Sequence, residues 1–174
     1  MLNKRIERTT INILQEFNVT KLPIPLDSII QKRGLTIKEY DLGVGVSGVL
    51  LINKGSGVIG VNPDEPKVRQ RFTKAHELGH YELHRHNSAL FIDKGFLNRD
   101  KNSSTGEILV EQEANAFAAA LLMPEYLLEK EIKKQKLDLS DDNAVIRLAD
   151  TFEVSSAAMT YRIANLNLYW KLGF

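Results

Sequence analysis

The stretch Ala75-His76-Glu77-Leu78-Gly79-His80-Tyr81 constrains this chain more than any other. It contains His-Glu-x-x-His. On a helix, residues four apart share a face, so His76 and His80 would aim two imidazoles at one spot, as a single Zn²⁺ requires. Glu77, the next residue, is near enough to polarise a water at that metal. All four histidines of the protein (His76, His80, His84 and His86) lie in this stretch or just after it. The bland alternative is a helix carrying solvated histidines. A third ligand separates the two readings, because catalytic zinc usually has three protein ligands and an open position.

Composition narrows the donors. None of the 174 residues is cysteine, so a metal must be held by His, Asp or Glu. At 43% hydrophobic and 26% charged, with net charge +1, the chain reads as an ordinary globular protein. Its length suits one domain, or one with a small appendage. The balanced charge gives no global pull toward nucleic acid or membrane. The first residues lack the apolar core of a secretory signal, and no apolar run approaches a membrane span. The expected address is the cytoplasm.

The remaining elements follow from pattern. Residues 2–17 carry one apolar face and predict a helix; Pro23 and Pro25 break it. Leu26, Ile29 and Ile30 predict a short helix ended by Gly34. Residues 35–40 alternate as a strand, and 48–52 with 57–62 form a hairpin across Asn53-Lys54-Gly55-Ser56. A strand beside a metal can also take an extended peptide by β-addition. The motif helix is expected from about Lys67 to His84 or His86, with Val68, Phe72, Ala75, Leu78 and Gly79 inward. Gly79 is costly inside a helix, and would admit the close approach of another backbone. Ala89–Ile92 suggests a short strand, and Asp100–Gly106 a polar loop.

The second informative stretch is Glu107–Met123, helical by its alanines and leucines and stopped by Pro124. Such alanine density suggests close packing against another helix. It offers Glu111 and Glu113 as third ligand. Glu111 is preferred because Asn115 lies one turn on, on the same face, where an amide can orient a ligand histidine. His84 lies at i+8 from His76 and is a reserve ligand. The longer metzincin extension is absent, since Glu82-Leu83 follows without glycine and His86 is the sixth residue after His80. Tyr81, His84, His86, Tyr126 and Arg162 are all open as oxyanion donors.

Glu125–Gln135 reads as a charged helix. Ser140-Asp141-Asp142 then caps a helix through Phe152, and Ser155 caps another to about Leu166. Their spacing is like helix-turn-helix, but the second helix carries one cation, where DNA recognition needs several phosphate contacts. A helical hairpin serving the core or a protein partner is preferred. Leu166–Phe174 is an apolar tail, expected as a docked strand. The expected division is a metallopeptidase domain over 1–135 and a helix-turn-helix-like subdomain over 136–174.

Taken together, Phe72-Thr73-Lys74-Ala75-His76-Glu77-Leu78-Gly79-His80, Glu111-x-x-Ala114-Asn115-x-Phe117-Ala118, Leu121-Leu122-Met123-Pro124 and Leu148-Ala149-x-x-Phe152-x-Val154-Ser155-x-x-Ala158-x-x-x-Arg162 resemble the ImmA/IrrE family of metallo-endopeptidases. The resemblance implies an α+β, gluzincin-like fold: a small, twisted, mostly antiparallel sheet, an active-site helix and a C-terminal helical hairpin. It implies one Zn²⁺ per chain on His76, His80 and Glu111, with Glu77 as catalytic base; a His₂Glu site also accepts Mn²⁺. The implied substrate is a helix-turn-helix transcriptional repressor whose cleavage derepresses mobile-element or stress-response genes, with no DNA or membrane partner. The alternative is a non-catalytic, toxin–antitoxin-like module that binds a repressor or DNA.

Overall fold

A computed structural model describes residues 2–53, 56–94 and 105–173, with residues 2, 3 and 94 described by their backbone alone. In chain order the elements are α1 (Leu2–Glu16), α2 (Leu26–Lys32), β1 (Leu35–Glu39), β2 (Val46–Asn53), β3 (Ser56–Val61), α3 (Lys67–His84), β4 (Leu90–Lys94), α4 (Thr105–Leu122), α5 (Glu125–Gln135), α6 (Asp142–Phe152), α7 (Ser156–Asn165) and α8 (Leu168–Leu172). The class is α+β, as expected. The centre of the hairpin turn, Lys54-Gly55, and most of the expected polar loop, 100–104, lie outside the described residues; Thr105 and Gly106 open α4.

The chain forms two compact units, residues 25–118 and residues 1–24 with 119–174. The expected boundary after residue 135 does not follow this division, because α1 belongs with the C-terminal helices.

In the first unit the strands run in the order β1-β3-β2-β4. β2 pairs antiparallel with β3 and β4, while β1 pairs parallel with β3, so the sheet is mixed. Alternation places Leu50 and Ile59 in the core and leaves Leu51, Leu90 and Ile92 half-exposed on the other face. α3 packs against β2 and β3. Two cross-links fix it further: Arg33 Nε donates to Glu82 Oε1 at 2.7 Å, and Lys74 Nζ donates to the Asp27 carboxylate at 2.9 Å. The side chain of Gln70 donates to the carbonyls of Pro63 and Glu65 and closes the turn into α3.

The inward face of α3 differs from the expected one. Val68 is exposed and Phe72 half-buried, whereas Thr73, His76, Glu77, His80 and His84 are buried with Ala75, Leu78 and Gly79. The apolar spacing misled because functional polar groups occupy that face.

In the second unit α1 buries Ile6, Ile13 and Leu14, and α6 packs on α7. α6 is capped by Asp141 rather than Ser140: the Asp141 carboxylate accepts from Asn143 N at 2.9 Å. Ser155 caps α7 as expected, accepting from Ala158 N at 3.1 Å. The tail is not a strand. Asn167 turns the backbone at φ 53° and α8 follows, burying Leu168. Arg162 on α7 is buried, and each of its three guanidinium nitrogens makes a bond: Nη1 and Nη2 donate to the Glu7 carboxylate at 2.5 and 3.0 Å, and Nε donates to the Met123 carbonyl at 2.9 Å. That removes it from the candidates for oxyanion donor.

Candidate metal centre

The site is built from residues of α3, α4 and the two strands β2 and β4, and those residues all lie between 25 and 118. The helical repeat brings His76 and His80 to one side of α3, with Nε2 atoms 2.9 Å apart. Glu111 on α4 completes the group. Its Oε2 lies 3.3 Å from His76 Nε2, and its Oε1 lies 3.3 Å from His80 Nε2. Together they are a group of donors able to hold a metal ion.

Two of the three spacings agree with the chemistry of such an ion, while the two Nε2 atoms, 2.9 Å apart, stand closer than it would hold them. Ligands at about 2.0–2.1 Å in a tetrahedron stand about 3.3 Å from one another, which is the separation of both Glu–His pairs. Two nitrogens and one oxygen are a donor set that zinc accepts. His76 Nδ1 lies 3.1 Å from Asn115 Oδ1. With the amide oxygen as acceptor, Nδ1 carries a proton, and Nε2 is the ring nitrogen turned toward Glu111. The His80 ring stacks on Phe91 of β4, centroids 4.5 Å apart, which fixes its plane by packing.

Glu111 and Glu113 now separate. Glu113 faces the other way along the helix and lies 3.3 Å from His84 Nε2, both side chains buried. His84 therefore sits against Glu113 rather than in the ligand group, and His86 is exposed.

Glu77 is fully buried, and among the described residues neither carboxylate oxygen has a hydrogen-bond partner. Burial, then the negative charges of Asp93 and Glu111, push its pKa well above the usual carboxylate value. A group with these properties is suited to take up a proton. For Glu111 burial alone would raise the pKa, but hydrogen bonds and charge from His76 and His80 outweigh it and hold it at about 2. Burial lowers His80, against the opposing pull of Glu111.

These directions give a test that needs no substrate. The folded, metal-free chain keeps the Glu77 proton to higher pH than the unfolded chain. Above the ordinary value of 4.5, that difference removes stability as pH rises. His80 and Glu111 act in the opposite sense, their contributions being lost as pH falls. The metal-free Glu77→Gln chain should therefore melt at the same temperature as wild type at pH 4 and above it at pH 8. Parallel melting curves across that range would contradict the burial of an unpartnered acid.

Gly79 shows why the motif helix tolerates a glycine. A Cβ there would stand 3.1 Å from the Phe117 ring and 3.2 Å from the backbone of Ala114 on α4. The alanine-rich helix approaches α3 at this point, as its composition suggested. Gly79→Ala gains about 1 kcal/mol of helix propensity but must displace backbone, at about 1–3 kcal/mol. We expect a net loss on the order of 1 kcal/mol by denaturant unfolding; a more stable variant would mean that α4 yields freely.

The sequence profile of the Peptidase M78 family, described as the IrrE N-terminal-like domain, matches residues 30–164, and the chain belongs to that family. No curated protein matches it. A solved Mycobacterium tuberculosis transcriptional regulator shares the fold with TM-score 0.60 at 19% identity. That match covers 94% of this chain and 46% of the regulator, so this chain spans about half of its length. Among the described residues, no helix is long and apolar enough to cross a membrane.

Sequence reasoning missed three residues at this site. Phe91 and Asp93 come from a strand whose place beside α3 is set by sheet order. Gly48 comes from the hairpin, next to Glu77.

Proposed function

We propose that the chain is a zinc-dependent, site-specific endopeptidase whose substrate is a helix-turn-helix transcriptional repressor. The observation that carries the catalytic part is Glu77: a buried carboxylate with no hydrogen-bond partner among the described residues, beside the His76-His80-Glu111 group. A zinc ion held by that group would supply Lewis acidity, polarising a peptide carbonyl and acidifying water. Glu77 takes the proton from the attacking water and returns it to the leaving amine. Asn115 holds His76 in the tautomer that presents Nε2, and Phe91 keeps the His80 ring in plane.

A route for the substrate is supported by topology. β4 is the last strand of the sheet, paired with β2, and its Phe91 lies against His80. An extended peptide added to β4 would run past the metal ligands. The repressor as partner rests on the family resemblance. The α6–α7 hairpin supports a protein partner over DNA, because the only cation of α7, Arg162, is buried against Glu7. A duplex would meet Ser156, Ala157, Thr160 and Tyr161 instead, none of which neutralises a phosphate.

The test is co-expression with a helix-turn-helix repressor, followed by intact-mass measurement. Two defined fragments with wild type and none with Glu77→Gln are expected. An intact repressor in both, with metal bound to both enzymes, would favour the binding-module alternative.

A further inference from the structure

We propose that Gly48 is a positioning residue for Glu77: the bare backbone of β2 at this point is the wall against which the carboxylate is seated. A Cβ on Gly48 would stand 2.9 Å from Glu77 Oε1 and 2.3 Å from Thr73 Cγ2. Both distances are shorter than carbon-to-oxygen or carbon-to-carbon contact allows. Thr73 is one helical turn before Glu77 and is itself buried, so the two side chains and the strand share one tight space.

Two further observations make this a seat rather than a casual contact. Among the described residues no hydrogen bond holds the Glu77 carboxylate, and the contacts with β2 set its place by shape. The strand beside it is pinned. The pairing of β2 with β4 shifts register between Val46 and Gly48, and Ser47 at that irregularity is anchored on three sides. Its carbonyl accepts from Asn62 N at 3.2 Å, its hydroxyl donates to Glu65 Oε1 at 2.9 Å, and Arg69 Nη2 donates to that hydroxyl at 3.2 Å. Arg69 Nη2 also lies 3.6 Å from Asp93 Oδ2, and Asp93 is paired with Gly48 across the ladder. A side chain at position 48 therefore cannot be relieved by moving the strand. Thr73 and Glu77 must move.

The kinetic arm of the test rests on the endopeptidase reading; a thermodynamic arm does not. In the full-length, metal-loaded chain, Gly48→Ala is combined with Thr73→Ser and, separately, with Glu77→Ala. Each partner substitution removes an atom that the new methyl would strike. We expect the melting-temperature loss from Gly48→Ala to shrink by at least about 3 °C in both backgrounds. Metal content should stay at the wild-type level. With the repressor fragments as readout, Gly48→Ala should lower kcat about tenfold with KM unchanged, because a base displaced by a fraction of an ångström still binds substrate normally. Thr73→Ser should restore stability to Gly48→Ala without restoring kcat. Additive melting shifts, loss of metal, or a kcat that returns together with stability would each overturn the proposal. If wild type cleaves nothing, the endopeptidase reading falls, and the melting cycle alone decides whether Gly48 seats Glu77.

Discussion

Glu77→Gln is expected to leave the metal in place and to reduce repressor cleavage about a thousandfold, within the range that general acid–base groups contribute. The substitution keeps the volume of the side chain and removes its capacity to accept a proton at neutral pH. The ligand group His76, His80 and Glu111 does not include Glu77, so metal content measured on the purified variant should equal that of wild type. Such a result separates the base from the ligands. His80→Ala, by contrast, should lose the metal and the activity together. A variant that cleaves within tenfold of wild type would show that another group takes the proton, and the buried carboxylate would then need a different explanation.

The second large effect concerns the helices rather than the chemistry. Arg162→Ala should destabilise its unit by about 3 kcal/mol, because it leaves the Glu7 carboxylate and the Met123 carbonyl without their donors in a largely buried place. Glu7 retains about a quarter of its exposure, which places the effect at the lower end for broken buried pairs. Thermal melting should fall by on the order of 10 °C. Arg162→Lys restores charge but not the two-pronged contact with Glu7 or the third bond to Met123, so it should recover only part of the loss. The double variant Arg162→Met with Glu7→Leu should be more stable than Arg162→Ala alone, since no charge is left buried. A loss below about 1 kcal/mol would mean that this pair behaves like an exposed one.

That ion pair joins residues 155 positions apart, which is why no local pattern announces it. Arg162 on a helix-turn-helix-like element reads as a surface cation. Only the tertiary structure, with its bonds to Glu7 and Met123, shows it buried. The tail shows the same limit on a smaller scale: its apolar residues suit a strand or a helix equally, and the turn at Asn167 decides for α8. β1 read correctly as a strand, but its parallel partner is chosen by sheet order, not by its own alternation.

The sequence by itself determined that His76 and His80 converge, that Glu77 lies beside them and which donor atoms are open to a metal. Four-residue spacing on a helix is rigid geometry, so His76 and His80 converge wherever that helix sits. The absence of cysteine left only nitrogen and oxygen donors. Even Glu111 was legible against Glu113, because Asn115 repeats on the same helical face and holds His76. The tertiary structure decided everything that depends on two segments meeting. It placed Glu111 at 3.3 Å from both histidines, turned Glu113 toward His84, laid Phe91 on the His80 ring and brought the bare backbone of Gly48 against Glu77. The physical reason is range: helical periodicity acts over a few residues, whereas burial and contact are set by which distant surfaces exclude water together.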